Sequence, residues 1–124
     1  MAKPGTVIGW TLDADERTTL LKQFPPSFAK VVANHVTLAR DAADRPLPPE
    51  VHAHIVGRTS DGCGVEAMVV TLDGDTKRPD GSTFHITWSL GDGRRARESN
   101  DVLKERGWQE LDHPIPISLT PARV

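Results

Sequence analysis

Two short segments constrain this chain more than any others: His35-Val-Thr-Leu38 and His85-Ile-Thr-Trp88. Successive side chains of an extended strand point to opposite faces, so residues two apart share a face. Read as strands, the first segment sets His35, Thr37 and Ala39 on one face, with Val36 and Leu38 on the other. The second sets His85 and Thr87 opposite Ile86 and Trp88. Each strand therefore offers an imidazole beside a hydroxyl on one side and a hydrophobic surface for a core on the other. With only five histidines in the chain, composition predicts fewer than one His-x-Ser/Thr triplet. Two, each with apolar residues at the alternate positions, point to selection for a shared purpose.

The remaining pattern supplies a frame for these strands. Residues 6–12 read as a first strand, and Asp13-Ala-Asp-Glu16 has the form of a capping box. Leu20, Leu21 and Phe24 continue it as a short amphipathic helix. Strands are expected at 30–40, 51–58, 65–72 and 83–90, with a hairpin loop over 59–64 and turns at 72–75 and 78–81. Ser99-Asn100-Asp101 reads as the cap of a second short helix that runs through Arg106 and stops at Gly107. A Pro-flanked strand over 115–119 belongs at a sheet edge. The order predicts an α+β fold in one domain spanning 1–124.

Composition narrows the chemistry. The chain has 124 residues, 37% apolar and 26% charged, which predicts a soluble globular protein. No run approaches the roughly 18 apolar residues of a membrane span. Residues 1–6 lack the apolar run of a signal peptide, so a cytoplasmic location is expected. The single cysteine rules out an internal disulfide and a Cys-rich zinc site. A net charge of −2 argues against a bulk nucleic-acid binder held by counterion release, though not against a local basic site for one nucleotide or RNA end.

Two same-face His/Thr strands facing across a cleft would hold one phosphate between two imidazoles and two hydroxyls. Imidazole titrates near neutral pH, so one ring can take a proton from water while the other gives one to a departing ribose oxygen. Hydroxyls and imidazolium would stabilise the charge on the non-bridging oxygens. This chemistry requires neither a metal nor a cofactor.

The paired tetrapeptides resemble the signatures of the 2H phosphoesterase superfamily, which includes bacterial RNA 2′,3′-cyclic phosphodiesterases and the cyclic phosphodiesterase module of fungal and plant tRNA ligases. The resemblance implies a bilobal α+β fold with antiparallel sheets, two short helices, pseudo-twofold symmetry and a central cleft. It makes His35 and His85 the acid/base pair, without saying which is which, and Thr37 and Thr87 the phosphate contacts. The implied activity is hydrolysis of a 2′,3′-cyclic phosphate on an RNA end or a small cyclic nucleotide, in RNA repair or processing. No membrane and no obligatory protein partner are implied. The chain is shorter than most members, and Trp88 stands where a smaller aliphatic residue is usual. These departures fit a reduced, tRNA-ligase-like module. The alternatives are a non-catalytic binding module for a nucleotide or RNA end, and a structural domain in which both motifs belong to the core.

Other residues enter as candidates. Arg94-Arg95-Ala-Arg97 follows the second motif and either reaches substrate phosphates or forms a solvated loop; Arg94 and Arg95 are taken as substrate-binding. Lys77 and Arg78 are weaker candidates of the same kind. Trp10 is a candidate cleft residue, whereas Phe84 and Trp88 read as core. His52-Ala-His54 could ligate a metal but reads better as an exposed strand face, and Cys63, between two glycines, reads as incidental.

Overall fold

In a computed structural model, residues 6–40 and 42–124 are described; of the segment read above for a leader, residues 1–5 lie outside them. The chain runs β1 (Ile8–Leu12), α1 (Ala14–Gln23), β2 (Lys30–Val31), β3 (His35–Ala39), β4 (Ala53–Ser60), β5 (Val65–Leu72), β6 (His85–Leu90), α2 (Glu98–Arg106), β7 (Gln109–Ile117) and β8 (Leu119–Arg123). Two antiparallel sheets form, β3-β1-β8 and β2-β6-β5-β4-β7, accompanied by the two helices. The α+β class is as expected. No helix among the described residues is long and apolar enough to cross a membrane.

The strand expected over 30–40 is in fact two strands, one in each sheet. Ala33 adopts a left-handed backbone, φ 45°. Up to that point the chain pairs with β6: Val31 lies opposite Ser89, and the Val32 and Ala33 amides donate to the Trp88 and Thr87 carbonyls at 2.9 and 2.8 Å. Beyond it the chain pairs with β1: the Leu12 amide donates to the Asn34 carbonyl, and His35 lies opposite Thr11. Alternation alone cannot signal such a crossing, because each half keeps the strand period.

Helix α1 fixes the crossing. Asp13 caps it by accepting from the Glu16 amide at 3.0 Å. One turn on, Arg17 donates through Nε to the Ala33 carbonyl at 3.0 Å and through Nη2 to the Val32 carbonyl at 3.1 Å. The left-handed turn thus has its carbonyls held by a guanidinium.

The core lies between the sheets. Trp10, Leu12 and Val36 of the small sheet pack in one cluster with Ile55, Met68, Val70, Ile86 and Trp88 of the large one. Trp88 is fully buried, and its Nε1 donates to the Phe24 carbonyl at 2.9 Å. Beside it the buried Glu66 carboxylate accepts from the Ser27 amide, the Ser27 hydroxyl and the Ser89 hydroxyl. These bonds satisfy a charge that would be costly to bury bare and pin the segment after α1 to β5 and β6.

The C-terminal expectation also changes. The strand placed at 115–119 is two strands: β7, which begins at Gln109 and forms an edge of the large sheet, and β8, which pairs with β1. Pro114 and Pro116 fall in the edge strand, where a missing amide is tolerated.

Candidate active site

The sheet crossing makes the site. At Ala33 the chain is still bonded to Thr87, and by His35 it has left for β1, so β3 and β6 diverge from a common point. A cavity of about 40 Å³ lies in the gap, lined by His35 and Thr37 from β3 and His85 and Thr87 from β6. Arg40, Arg78, Ala96, Arg97 and Asn100 complete its wall. The four residues of the two motifs therefore share one small polar concavity. Its volume suits a few water molecules, or the oxygens of one phosphoryl group.

Both imidazoles are oriented through Nδ1. His85 Nδ1 lies 2.8 Å from the Thr83 carbonyl, and His35 Nδ1 lies 2.6 Å from Asn34 Oδ1. A carbonyl oxygen can only accept, so Nδ1 carries the hydrogen in each ring and Nε2 is left to exchange a proton. Burial lowers the pKa of His35 below 6.5. Burial also lowers that of His85; the Thr83 carbonyl opposes this, while Arg78 and His35 add to it. Burial thus favours the neutral form of both imidazoles.

Arg78 is a fixed cation in the wall. Its guanidinium makes a bidentate pair with Asp80, Nε to Oδ1 at 3.1 Å and Nη2 to Oδ2 at 2.8 Å, and Nη1 reaches the Thr37 carbonyl at 3.4 Å. Asp80 also accepts from the Ser82 amide and hydroxyl. The Arg78 pair and these bonds hold the Asp80 carboxyl well below the usual carboxylate range, against the opposing effect of burial. Among the described residues the Arg40 and Arg97 guanidiniums form no ion pair. Among the described residues three arginines and no carboxylate line the cavity, and of the three only Arg78 is paired, with Asp80 outside the lining, which are the electrostatics of an anion site.

Compared with protein-family models, curated proteins and solved structures, the chain matches none.

The remaining sequence candidates are distributed differently. Trp10 does not line the cavity: it is 3% exposed, its Nε1 donates to the Pro49 carbonyl, and its ring meets Phe84 edge to face with centroids 6.2 Å apart. Arg94 is a tether, bonded to Asp61 at 2.8 Å, to Glu98 at 3.1 Å and to the Cys63 carbonyl. Burial works to raise the Asp61 pKa, but the Cys63 and Val65 amides and Arg94 outweigh it and hold that carboxyl at about 2. Arg95 is exposed in a neighbouring depression that shares Arg97 and Asn100 with the cavity. The arginine of that run that reaches the motifs is Arg97. Lys77 is exposed, while its neighbour Arg78 is buried in the wall. Among the described residues no group of three or more His, Cys, Asp and Glu side chains is placed to hold a metal ion, and His52 is exposed, with its amide on Asp73.

Three participants escaped the sequence reading. Arg40 lies just past β3 and gives no periodic signal. Asn100 looks like part of a helix cap, but α2 begins earlier, at Glu98, and Arg97 occupies the cap position without a side-chain bond. Asn100 donates through Nδ2 to the Arg97 carbonyl, and its Oδ1 is buried with no partner among the described residues. Ser99, the expected cap, is instead a buried residue of the first turn whose hydroxyl lies 2.9 Å from Thr87 Oγ1.

Proposed function

We propose that this chain is a phosphodiesterase that opens a 2′,3′-cyclic phosphate, on an RNA end or a small nucleotide, by two-histidine acid–base hydrolysis. The observation that carries this reading is the single cavity shared by His35, Thr37, His85 and Thr87. The resemblance of the two tetrapeptides to the 2H phosphoesterase signatures points the same way, and on this reading the two sheets are the two lobes.

A cyclic diester is an anion, and seating it beside the imidazoles favours the charged form of one of them. The neutral ring then removes a proton from water through Nε2 as the water oxygen forms its bond to phosphorus. The bond from phosphorus to one ribose oxygen breaks, and the imidazolium donates its proton to that oxygen. Arg40, Arg78 and Arg97, with the Thr37 and Thr87 hydroxyls, balance the charge on the non-bridging oxygens. The product is a ribose phosphomonoester with a free neighbouring hydroxyl.

A second reading, a binding module that holds the same ligand without turnover, is favoured by the burial that lowers both imidazole pKa values and so disfavours the imidazolium that turnover needs. Phosphorus-31 NMR of a 2′,3′-cyclic mononucleotide incubated with the protein separates the two. Conversion to a monoester supports the enzyme. Saturable binding with the ligand unchanged supports the module, and neither result would overturn both.

A further inference from the structure

We infer that Ser99 is a positioning residue that fixes the Thr87 hydroxyl for an incoming phosphate oxygen, through a Ser99-to-Thr87-to-phosphate hydrogen-bond relay. The inference rests on reading the cavity as a phosphate site and adds a member that does not line it.

Thr87 Oγ1 has two hydrogen-bond partners among the described residues, the Ala96 carbonyl at 3.3 Å and Ser99 Oγ at 2.9 Å. The carbonyl can only accept, and Ser99 Oγ has no other acceptor among the described residues, so the arrangement that uses both hydrogens points that of Thr87 to Ala96 and that of Ser99 to Thr87. Ser99 is fully buried, and Thr87 is its one side-chain partner among the described residues. An anion entering the cavity needs the Thr87 hydrogen. Releasing it leaves no orphan, because the Ala96 carbonyl also accepts from the Ser99 amide at 3.1 Å. Thr87 Oγ1 meanwhile keeps the bond it accepts from Ser99.

Ser99 thus serves the switch twice. Its amide keeps Ala96 satisfied, and its hydroxyl anchors the Thr87 oxygen while the hydrogen turns to the ligand. A chain of hydroxyls donating in one direction also polarises the terminal donor, which strengthens its bond to an anion. The relay is set by the start of α2: Ser99 lies in its first turn, and the Ala96 carbonyl that Thr87 bonds lies just before the cap residue Arg97.

The test is a double-mutant cycle with inorganic phosphate as the probe, read by calorimetry on the full chain. Ser99→Ala and Thr87→Val are each expected to weaken phosphate binding about tenfold, the size of one well-made hydrogen bond. The double variant is expected to bind no more weakly than Thr87→Val alone, since Ser99 acts only through Thr87. Ser99→Cys, which keeps the packing but donates weakly, controls for folding and is expected to fall between wild type and Ser99→Ala. Wild-type affinity in Ser99→Ala, or fully additive losses in the double variant, would overturn the relay. Phosphate binding and turnover fail separately: wild type that binds phosphate with the expected cycle but hydrolyses no cyclic diester keeps the relay and removes the catalytic reading.

Discussion

The Ala33 amide donates to the Thr87 carbonyl at 2.8 Å, and two residues later the chain belongs to the other sheet. That one bond is the apex of the wedge in which the two histidines meet. His35 stands just past the apex on one side, and His85 and Thr87 flank it on the other. The site's geometry thus depends on a left-handed alanine and on the arginine that holds its carbonyls.

Arg17 is therefore predicted to matter although it does not line the cavity. Arg17→Ala removes two charge-assisted bonds to the Val32 and Ala33 carbonyls. A loss of about 1.5–3 kcal/mol is expected, measurable as a lowered urea midpoint. Loosening of His35 should also reduce turnover in variant protein that remains folded.

The two histidines make stability depend on pH. Both have folded-state pKa values below 6.5, so above pH 6.5 the stability associated with their neutral forms is fully present. As pH falls below 6.5 the unfolded chain binds protons first and stability declines, until the folded-state values are passed. Each proton involved contributes a slope of up to about 1.4 kcal/mol per pH unit. Urea midpoints measured between pH 7.5 and 5 should fall with acid, and less steeply in a His35→Gln, His85→Gln variant. The same directions place the maximum of kcat/KM below pH 6.5, where the free protein holds one proton on the pair. A maximum above pH 6.5 would contradict this assignment of the acid and base.

The arginines should separate by role. Arg40→Gln and Arg97→Gln are expected to weaken phosphate binding about tenfold each and to reduce its salt dependence, with little change in Tm. Arg94→Gln breaks the Asp61 and Glu98 pairs and should instead lower Tm, leaving phosphate affinity near wild type. Calorimetry paired with thermal melts on the same three proteins checks both statements.

Much of this was legible from residue order. Strand β5 matches the expected 65–72 span, Asp13 caps α1, and the faces of both His-x-Thr strands follow from alternation. What alternation cannot report is which sheet a strand joins. The break at Ala33 was hidden because alanine does not advertise a left-handed backbone as glycine does. Trp10 was misplaced for a related reason, since an aromatic on a strand next to the site can face either way and here faces the core. Arg94 and Arg97 look equivalent in sequence, and only the helix start at Glu98 sends one to Asp61 and the other to the cavity. Ser99 fits a cap equally well on paper. Its real partner, Thr87, is twelve residues away in sequence.

The central claim is that His35 and His85 act together on one cyclic phosphate. Its most direct test is the initial rate of 2′,3′-cyclic nucleotide hydrolysis in EDTA by wild type, His35→Ala and His85→Ala. The expected result is turnover by wild type and a loss of about 10²–10⁴-fold in each variant. Equal rates in all three proteins, or no product from wild type, would contradict it.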